Sequence, residues 1–455
     1  MALDPLALPP DALFKGYETT LIQDLVLVRD NVLFRREKYW SPALRRTYLA
    51  ALPEGYGGQF GPGIRTLALS LCYGALVSKE QLVAFFRDAG TMISSGGVSD
   101  LLVHGHARFH QELQGAAVAG LSSSPWQQLD DTPTRVSGQN HSCRTLCNPL
   151  YTFYQTTPTK ERLAVLETLF LGRGISFRHD AVATAYWEAV GLSQKMRHAL
   201  GRLPTELAWD RSEFEAQLAV HLPGLGPQQR QRVLEGAALA AYRAQKDVPV
   251  IDTLLCDDAP PYRELTSNLA LCWVHEGRHY KKLCPWLAPH RQALSAFRKR
   301  FWEFYRQLLS YREQPSAAEA DRLTSVFDTL FATRTGYFDL DDRIEKTKSK
   351  KTELLRVLFH PELPLHNNAA ELAARRRVRK RDVSFGPRSP AGVRAWDTFQ
   401  SLAATCAKLG VSFSHYLHDR ITSAGRIPRL ATLIEQRALT LNLSRSWDPS
   451  PAPGY

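Results

Sequence analysis

An apolar run near the middle of the chain constrains the fold more than any other feature. Residues 248–256 read VPVIDTLLC, and this mostly apolar segment predicts a central β-strand. A second apolar run at 268–274 predicts a neighbouring strand. Earlier runs bounded by turn residues predict three shorter strands, at 126–130, 143–148 and 150–156.

Two long helical stretches interrupt these strands, at about 160–247 and 286–358. Connections within a compact domain are usually about 4–6 residues long, so stretches of this size must be folded insertions. In the second stretch, apolar residues at spacings of 3 and 4 predict a helix face turned to the core: Leu294, Phe297, Phe301, Tyr305 and Leu308. Strands separated by helices predict the α/β class.

The N-terminal part of the chain has its own pattern. Residues 21–42 predict a β-hairpin whose turn is Asp30-Asn31. Three helical segments follow between 64 and 114, the third from about Val98 to Leu113. Ser78 with Gln81 predicts a capping box at the start of the second. Helix, short turn and helix is the outline of a helix-turn-helix, although a plain three-helix packing unit fits equally well.

Charge and composition narrow the class of partner. The chain has 57 basic and 45 acidic residues and a formal net charge of +12, which suggests a polyanionic partner without proving one. Seven widely spaced cysteines indicate a reducing, cytoplasmic location rather than a disulfide framework. The sequence contains neither a long apolar run nor a GxxxxGK[ST] loop, so we expect no membrane span and no use of ATP.

Three acidic residues stand out by context. Asp130 ends the first predicted strand, Asp257 ends the central one, and Glu371 lies one turn into a predicted helix. If they meet, their oxygens suit Mg²⁺ or Mn²⁺, and a pair of such ions supports in-line phosphoryl transfer. Each also has a simpler explanation: Asp130 with Asp131 can cap a turn, Asp257 with Asp258 can simply end a strand, and Glu371 can cap a helix together with Asn368.

A basic run follows Glu371. Residues 374–381 read ARRRVRKR, with six cations in eight positions, and Glu371, Arg375 and Arg379 share one helix face. This pattern fits a metal site beside a phosphate backbone, whereas a solvated surface patch is the simpler reading. A zinc site built from Cys272, His275 and Cys284 is a weaker alternative.

Several ordered segments give these residues a family context. The segments 130–140, 254–262, 272–283, 363–376 and 407–417 resemble the insertion-sequence-sixty-six family of bacterial transposases. The resemblance implies an RNase H-like core whose DDE triad corresponds to Asp130, Asp257 and Glu371, with Asp131 beside it. It also matches supporting positions His275, Arg278, Asn367, Asn368 and Arg375. Leu372, His366 and Val274 depart from the family's usual residues, and the Cys-rich zinc-binding N-terminus of many members is missing.

The resemblance implies the organisation of the whole chain. We expect an α/β fold in which an RNase H-like mixed sheet with large helical insertions follows a β-hairpin and a helix-turn-helix region. The predicted domains are 1–60 with the hairpin, 61–122 with the DNA-reading helices, 123–425 with the catalytic core, and 426–455 with a helix and a disordered tail.

The expected function is that of a DNA transposase that cleaves transposon ends and joins them to target DNA with Mg²⁺ or Mn²⁺. The predicted DNA contacts are Arg278, Arg375, Arg376, Arg379, Lys380 and Arg381. Inverted-repeat and target DNA, a homodimer and association with the nucleoid complete the expectation. A catalytically silent DNA-binding protein and an RNase H-like nuclease are the alternatives.

Overall fold

The computed structural model describes residues 3–4 and 7–441, so the predicted disordered tail lies outside the described residues. Near the N-terminus, β1 (Lys38–Ser41) and β2 (Arg46–Leu49) form an antiparallel hairpin. The prediction of a hairpin over 21–42 with a turn at Asp30-Asn31 is therefore wrong. Residues 21–33 are β-prone but have no strand to pair with, whereas the turn after Ser41 begins with Pro42, which presets a turn conformation.

Four helices and a π-helical turn (Ser70–Gly74) fill the next region: α1 (Pro62–Leu69), α2 (Lys79–Asp88), α3 (Ser95–Val103) and α4 (Ala107–Ser122). The capping box of Ser78 and Gln81 is confirmed at the start of α2. One helix was predicted where α3 and α4 lie, because their separation depends on Gly105. This glycine adopts a φ of +77° that other residues rarely tolerate.

The sheet begins with an antiparallel meander of β3 (Trp126–Val136), β4 (Gln139–Cys147) and β5 (Thr152–Thr157). Ser137 and Gly138 form the tight turn between β3 and β4, and both have positive φ. β3 is six residues longer than predicted, since Pro133 within it looks like a strand end. Asp130 consequently lies inside the strand rather than at its end.

A mainly helical segment separates this meander from the rest of the sheet. Its elements in chain order are α5 (Arg162–Leu169), β6 (Phe177–Arg178), α6 (Ala181–Ala189), α7 (Gln194–Leu200), β7 (Ala208–Trp209), α8 (Arg211–His221) and α9 (Pro227–Ala244). β6 and β7 pair only with each other, so they do not extend the central sheet.

Two short parallel strands complete the sheet, β8 (Thr253–Cys256) and β9 (Asn268–Leu271). β8 runs parallel to β3, which gives a mixed five-stranded sheet in the order β5-β4-β3-β8-β9. The strand predicted at 248–256 is confirmed only over 253–256, because residues 248–252 are not part of a strand. The second predicted strand is shorter than expected because α10 (Trp273–Lys281) begins there.

A second helical segment packs around Trp273 of α10. It contains α11 (Ala288–Glu313), α12 (Ala317–Phe331), α13 (Phe338–Lys348) and α14 (Lys351–Leu354). Most of the predicted apolar stripe on α11 is buried here, with Phe304 in the core instead of the partly buried Tyr305.

The final helices return to the sheet: α15 (Asn368–Ser384), α16 (Pro390–Lys408), α17 (Phe413–Thr422) and α18 (Leu430–Thr440). One face of the sheet, including Leu129 and Leu254, joins the main core. The opposite face carries a small apolar cluster that includes Trp126, Leu255 and Leu363, and α15 begins just beyond it. Among the described helices, none is both long and apolar enough to cross a membrane.

Candidate active site

The pairing of the central strands places two of the predicted carboxylates side by side. Gln128 of β3 is opposite Leu255 of the parallel strand β8. Asp130 lies two residues further along β3, and Asp257 is the first residue after β8, so this register brings both to the same edge of the sheet. They are close enough for the charge of Asp257 to act on Asp130. Cys272, just beyond β9, extends the row because Ala270 pairs with Leu255.

Hydrogen bonds from the sheet hold His366 and Asn367, the two residues before α15, against this part of the sheet. Gln128 Nε2 donates to the carbonyl of His366 at 3.0 Å, and the buried Asn367 Nδ2 donates to the carbonyl of Leu129 at 2.8 Å. Tyr154 Oη donates to the carbonyl of Ala373 at 2.8 Å. These contacts hold the first turn of α15, and Glu371 with it, above β3.

The capping alternative for Glu371 does not describe this helix start. The N-cap residue of α15 is Asn367 rather than Asn368, and it makes no side-chain capping bond. Asn368 is exposed at the first position of the helix. The side chain of Glu371 is directed elsewhere and is only 15% exposed.

Burial and like charge oppose ionisation of the two aspartates. Burial, followed by the charge of Asp257, raises the pKa of Asp130 to about 7. The hydrogen bond from the backbone N–H of Asp131 opposes this rise, and the charges of Asp131 and Glu371 add smaller increases. Burial is also the main cause that raises the pKa of Asp257. A divalent cation would relieve this repulsion, and carboxylate oxygens are the ligands that Mg²⁺ and Mn²⁺ prefer. The two aspartates therefore offer the type of donor atom that a hard metal ion prefers.

Glu371 is held by two residues of α10. Arg278 Nη2 donates to Glu371 Oε2 at 2.8 Å, and His275 Nδ1 lies 3.5 Å from Oε1. Arg278 Nη1 also lies 2.8 Å from His275 Nε2. Since a guanidinium can only donate, His275 Nε2 is the acceptor in this contact. The predicted supporting residues His275 and Arg278 thus contact the predicted catalytic glutamate.

Asp131 points to the other face of the sheet from Asp130. Its carboxylate accepts hydrogen bonds from Ser142 Oγ at 3.0 Å and from Tyr262 Oη at 3.2 Å. Asp131 is therefore placed to brace β3 against β4 and the segment after Asp257.

The fold does not bring together the three residues of the alternative zinc site. Donor atoms of Cys272, His275 and Glu371 lie within 4.8 Å of one another, whereas Cys284 is exposed and bonded to the carbonyl of Lys282. The predicted combination of Cys272, His275 and Cys284 is therefore wrong.

An ion-pair network next to Asp257 had no signal in the sequence. Lys350 Nζ, buried between α13 and α14, lies 2.6 Å from Asp258 and 3.2 Å from Glu276 of α10. Arg263 pairs with the same Asp258 at 2.5 Å. The second helical segment thus ties the strand end that carries Asp257 to the helix that holds Glu371.

The basic run on α15 is divided between solvent and interior. Arg375 and Arg379 are exposed, but Lys380 is buried and donates to the carbonyl of Val77 at 2.8 Å. This burial contradicts the DNA contact predicted for Lys380. Partly buried Arg376 and Arg381 each donate to a backbone carbonyl, of Gly74 and Pro133 respectively.

Comparison with known proteins defines the class of protein. The family model described as Transposase IS66 family matches residues 230–395, a span that includes Asp257 and Glu371 and begins after Asp130. An uncharacterized protein, y4jO, of Sinorhizobium fredii is 33% identical over 321 residues, which cover 70% of this chain and 99% of the relative. No solved structure matches the chain significantly. The chain belongs to the IS66 family of transposases.

Proposed function

We propose that this protein is a DNA transposase that cleaves transposon ends and joins them to target DNA by two-metal phosphoryl transfer. The proposal is carried by the strand register that brings Asp130 and Asp257 to the same sheet edge, where the charges of Asp257 and Glu371 both act on Asp130. Family membership supports a DNA partner and polynucleotidyl transfer. The strand order, three antiparallel strands followed by two parallel ones, supports an RNase H-like core.

In this proposal Asp130, Asp257 and Glu371 hold Mg²⁺ or Mn²⁺. Bound ions of this kind lower the pKa of an attacking water or hydroxyl and stabilise the leaving oxygen. Arg278 and His275 orient Glu371 and offset its charge until the metal binds. Asn367 fixes the helix start by its bond to the backbone of Leu129, so the third carboxylate stays over the strand that carries the first.

DNA recognition is assigned to other parts of the chain. Exposed Arg375 and Arg379 lie one and two turns after Glu371 and contact backbone phosphates near the reacting bond. The helices between 61 and 122 read the inverted repeats, as a helix-turn-helix does. Two transposon ends must be joined together, so the working form is a homodimer on nucleoid DNA.

An oligonucleotide assay with Mg²⁺ tests the reaction. Wild-type protein should cleave a transposon-end duplex and join the freed 3′ end to a second duplex. Asp257→Asn should abolish both steps and leave DNA affinity nearly unchanged, whereas the control Asp342→Asn, at an exposed acid of α13, should react normally. Cleavage without joining would indicate the nuclease, and binding alone would indicate the silent DNA-binding protein.

A pH series tests the metal site separately. Since the pKa of Asp130 is raised to about 7, a proton must leave before this carboxylate binds a cation. Mg²⁺ affinity of the DNA-free protein, measured by calorimetry, should therefore increase as the pH rises through about 7. Asp130→Asn should weaken binding and flatten this dependence, and an equally steep dependence in that variant would rule out Asp130 as its source.

A further inference from the structure

The hairpin of β1 and β2 is exposed on both faces. Seven of its eight strand residues are exposed and Ser41 is intermediate. Tyr39, Trp40 and Tyr48 keep 64%, 59% and 43% of their surface in contact with solvent. An isolated two-stranded hairpin is marginally stable in water, and large exposed aromatic groups commonly mark a binding surface.

The base of the hairpin is nevertheless anchored. The rings of Phe34 and Tyr56 meet edge to face at 4.9 Å, and Arg36 Nε donates to the carbonyl of Ala50. Glu54 then accepts a hydrogen bond from Arg108 of α4 at 3.2 Å. The hairpin therefore projects from the helices of region 61–122 on a braced base.

Positive charge is concentrated on this projection. Residues 35–46 contain one acid, Glu37, and five cations, Arg35, Arg36, Lys38, Arg45 and Arg46. Glu37 lies near the base, where Tyr39 Oη donates to it at 3.2 Å, so the tip has no acid. Arg45 is in the tip turn, and Arg46 begins β2 beside it.

Each face of the hairpin combines aromatic and basic side chains. Tyr39 pairs across the strands with Tyr48, and the guanidinium of Arg46 lies over the Tyr48 ring at 5.3 Å. Trp40 and Lys38 share the other face, since they are two residues apart on one strand. The arrangement presents rigid rings with cations directly beside them.

We propose that residues 35–49 form a β-ribbon that binds duplex DNA at a site separate from the carboxylates. The major groove admits a two-stranded ribbon, and flanking Arg and Lys side chains contact phosphates. A second copy of the chain is a poorer occupant, because the centres of protein interfaces are depleted of charge and two such ribbons would repel each other. Charge complementarity therefore favours DNA.

Salt-dependent binding in EDTA tests this surface without any reaction, so its outcome is independent of whether the protein is a transposase. Full-length Arg45→Ala/Arg46→Ala should bind a fluorescent duplex about tenfold or more weakly, and the slope of log K against log salt should fall by about 2. Trp40→Ala should weaken binding with the slope unchanged. The matched control Arg211→Ala/Arg230→Ala removes the same charge from exposed positions of the first helical segment and should leave both quantities unchanged.

Two results would overturn the proposal. One is a hairpin double variant with wild-type affinity and salt slope. The other is a variant that binds DNA normally but sediments with a lower mass than wild type, because the ribbon would then cover a second copy of the chain.

Discussion

Two segments of this chain are dense in cations, and the fold uses them in different ways. Residues 374–381 on α15 contain six cations in eight positions, and residues 35–46 contain five in twelve. On α15 two of the six cations, Arg377 and Lys380, are buried, and two more donate to backbone carbonyls. In the hairpin segment Arg36 donates to the carbonyl of Ala50 and Arg46 lies over the Tyr48 ring, but all five cations are exposed on a ribbon that is open on both faces.

The interior cations of α15 join separate parts of the fold. Arg377 is fully buried and pairs with Asp397 of α16 at 2.7 Å, and it also donates to Thr156 of β5. Lys380 reaches Val77 and lies 5.6 Å from the ring centre of Trp396. The sequence of a basic run therefore gives the number of cations, but the packing determines how many of them are exposed and able to contact a polyanion.

The largest expected effect is on stability, from Arg377→Met. This change keeps most of the volume but leaves the Asp397 carboxylate buried without its cation, which typically costs about 3–5 kcal/mol. Chemical denaturation should show this loss, and Arg377→Met/Asp397→Asn should recover part of it. A loss below about 1 kcal/mol would mean that the buried pair does not join the two helices.

The next effect is that of Lys380→Met, which removes the donor to the Val77 carbonyl. An unsatisfied buried acceptor costs about 1–3 kcal/mol, so the free energy of unfolding should fall by that amount. DNA affinity should not change, because the ammonium is not accessible. Arg379→Met, at the exposed neighbouring position, is the stability control. Weaker DNA binding by folded Lys380→Met would show that Lys380 contacts DNA after all, as the sequence predicted.

A smaller effect, on binding alone, is expected from Arg375→Ala/Arg379→Ala. Both side chains are exposed, so the free energy of unfolding should change by less than about 0.5 kcal/mol. In EDTA the slope of log K against log salt should fall by about 2 if each arginine contacts a phosphate. The control is again Arg211→Ala/Arg230→Ala. An unchanged slope for Arg375→Ala/Arg379→Ala would show that these two arginines of α15 do not contact DNA.

The sequence was sufficient where the signal is local. The apolar run before Asp257 identified β8, because an interior strand is buried on both faces and its own residues are therefore apolar. The capping box at Ser78 likewise depends on residues within one turn. The N-terminal hairpin was misplaced because strand pairing depends on a partner, and residues 25–28 are β-prone without one.

The candidate site shows the same limit. Asp130, Asp257 and Glu371 are more than a hundred residues apart. Local context identified each as a candidate, but only the ordered family motifs linked the three into one site and outweighed the simpler explanations for each. Lys350 was missed because a lone lysine in a charged segment gives no sign that it will be buried beside Asp258. Burial also separates Lys380 from its exposed neighbour Arg379, and the basic run does not encode that difference.

The smallest expected effect tests whether the hairpin cations contribute to the stability of the folded chain. Arg45→Ala/Arg46→Ala should change the free energy of unfolding by about 0.5 kcal/mol, since both side chains are exposed and an exposed contact such as that of Arg46 with the Tyr48 ring contributes about that much. The measurement is the same chemical denaturation used for Arg377→Met. A loss above about 1 kcal/mol would show that these arginines stabilise the folded chain, as the interior cations of α15 do. The hairpin would then offer DNA little more charge than α15 does, and the contrast between the two segments would disappear.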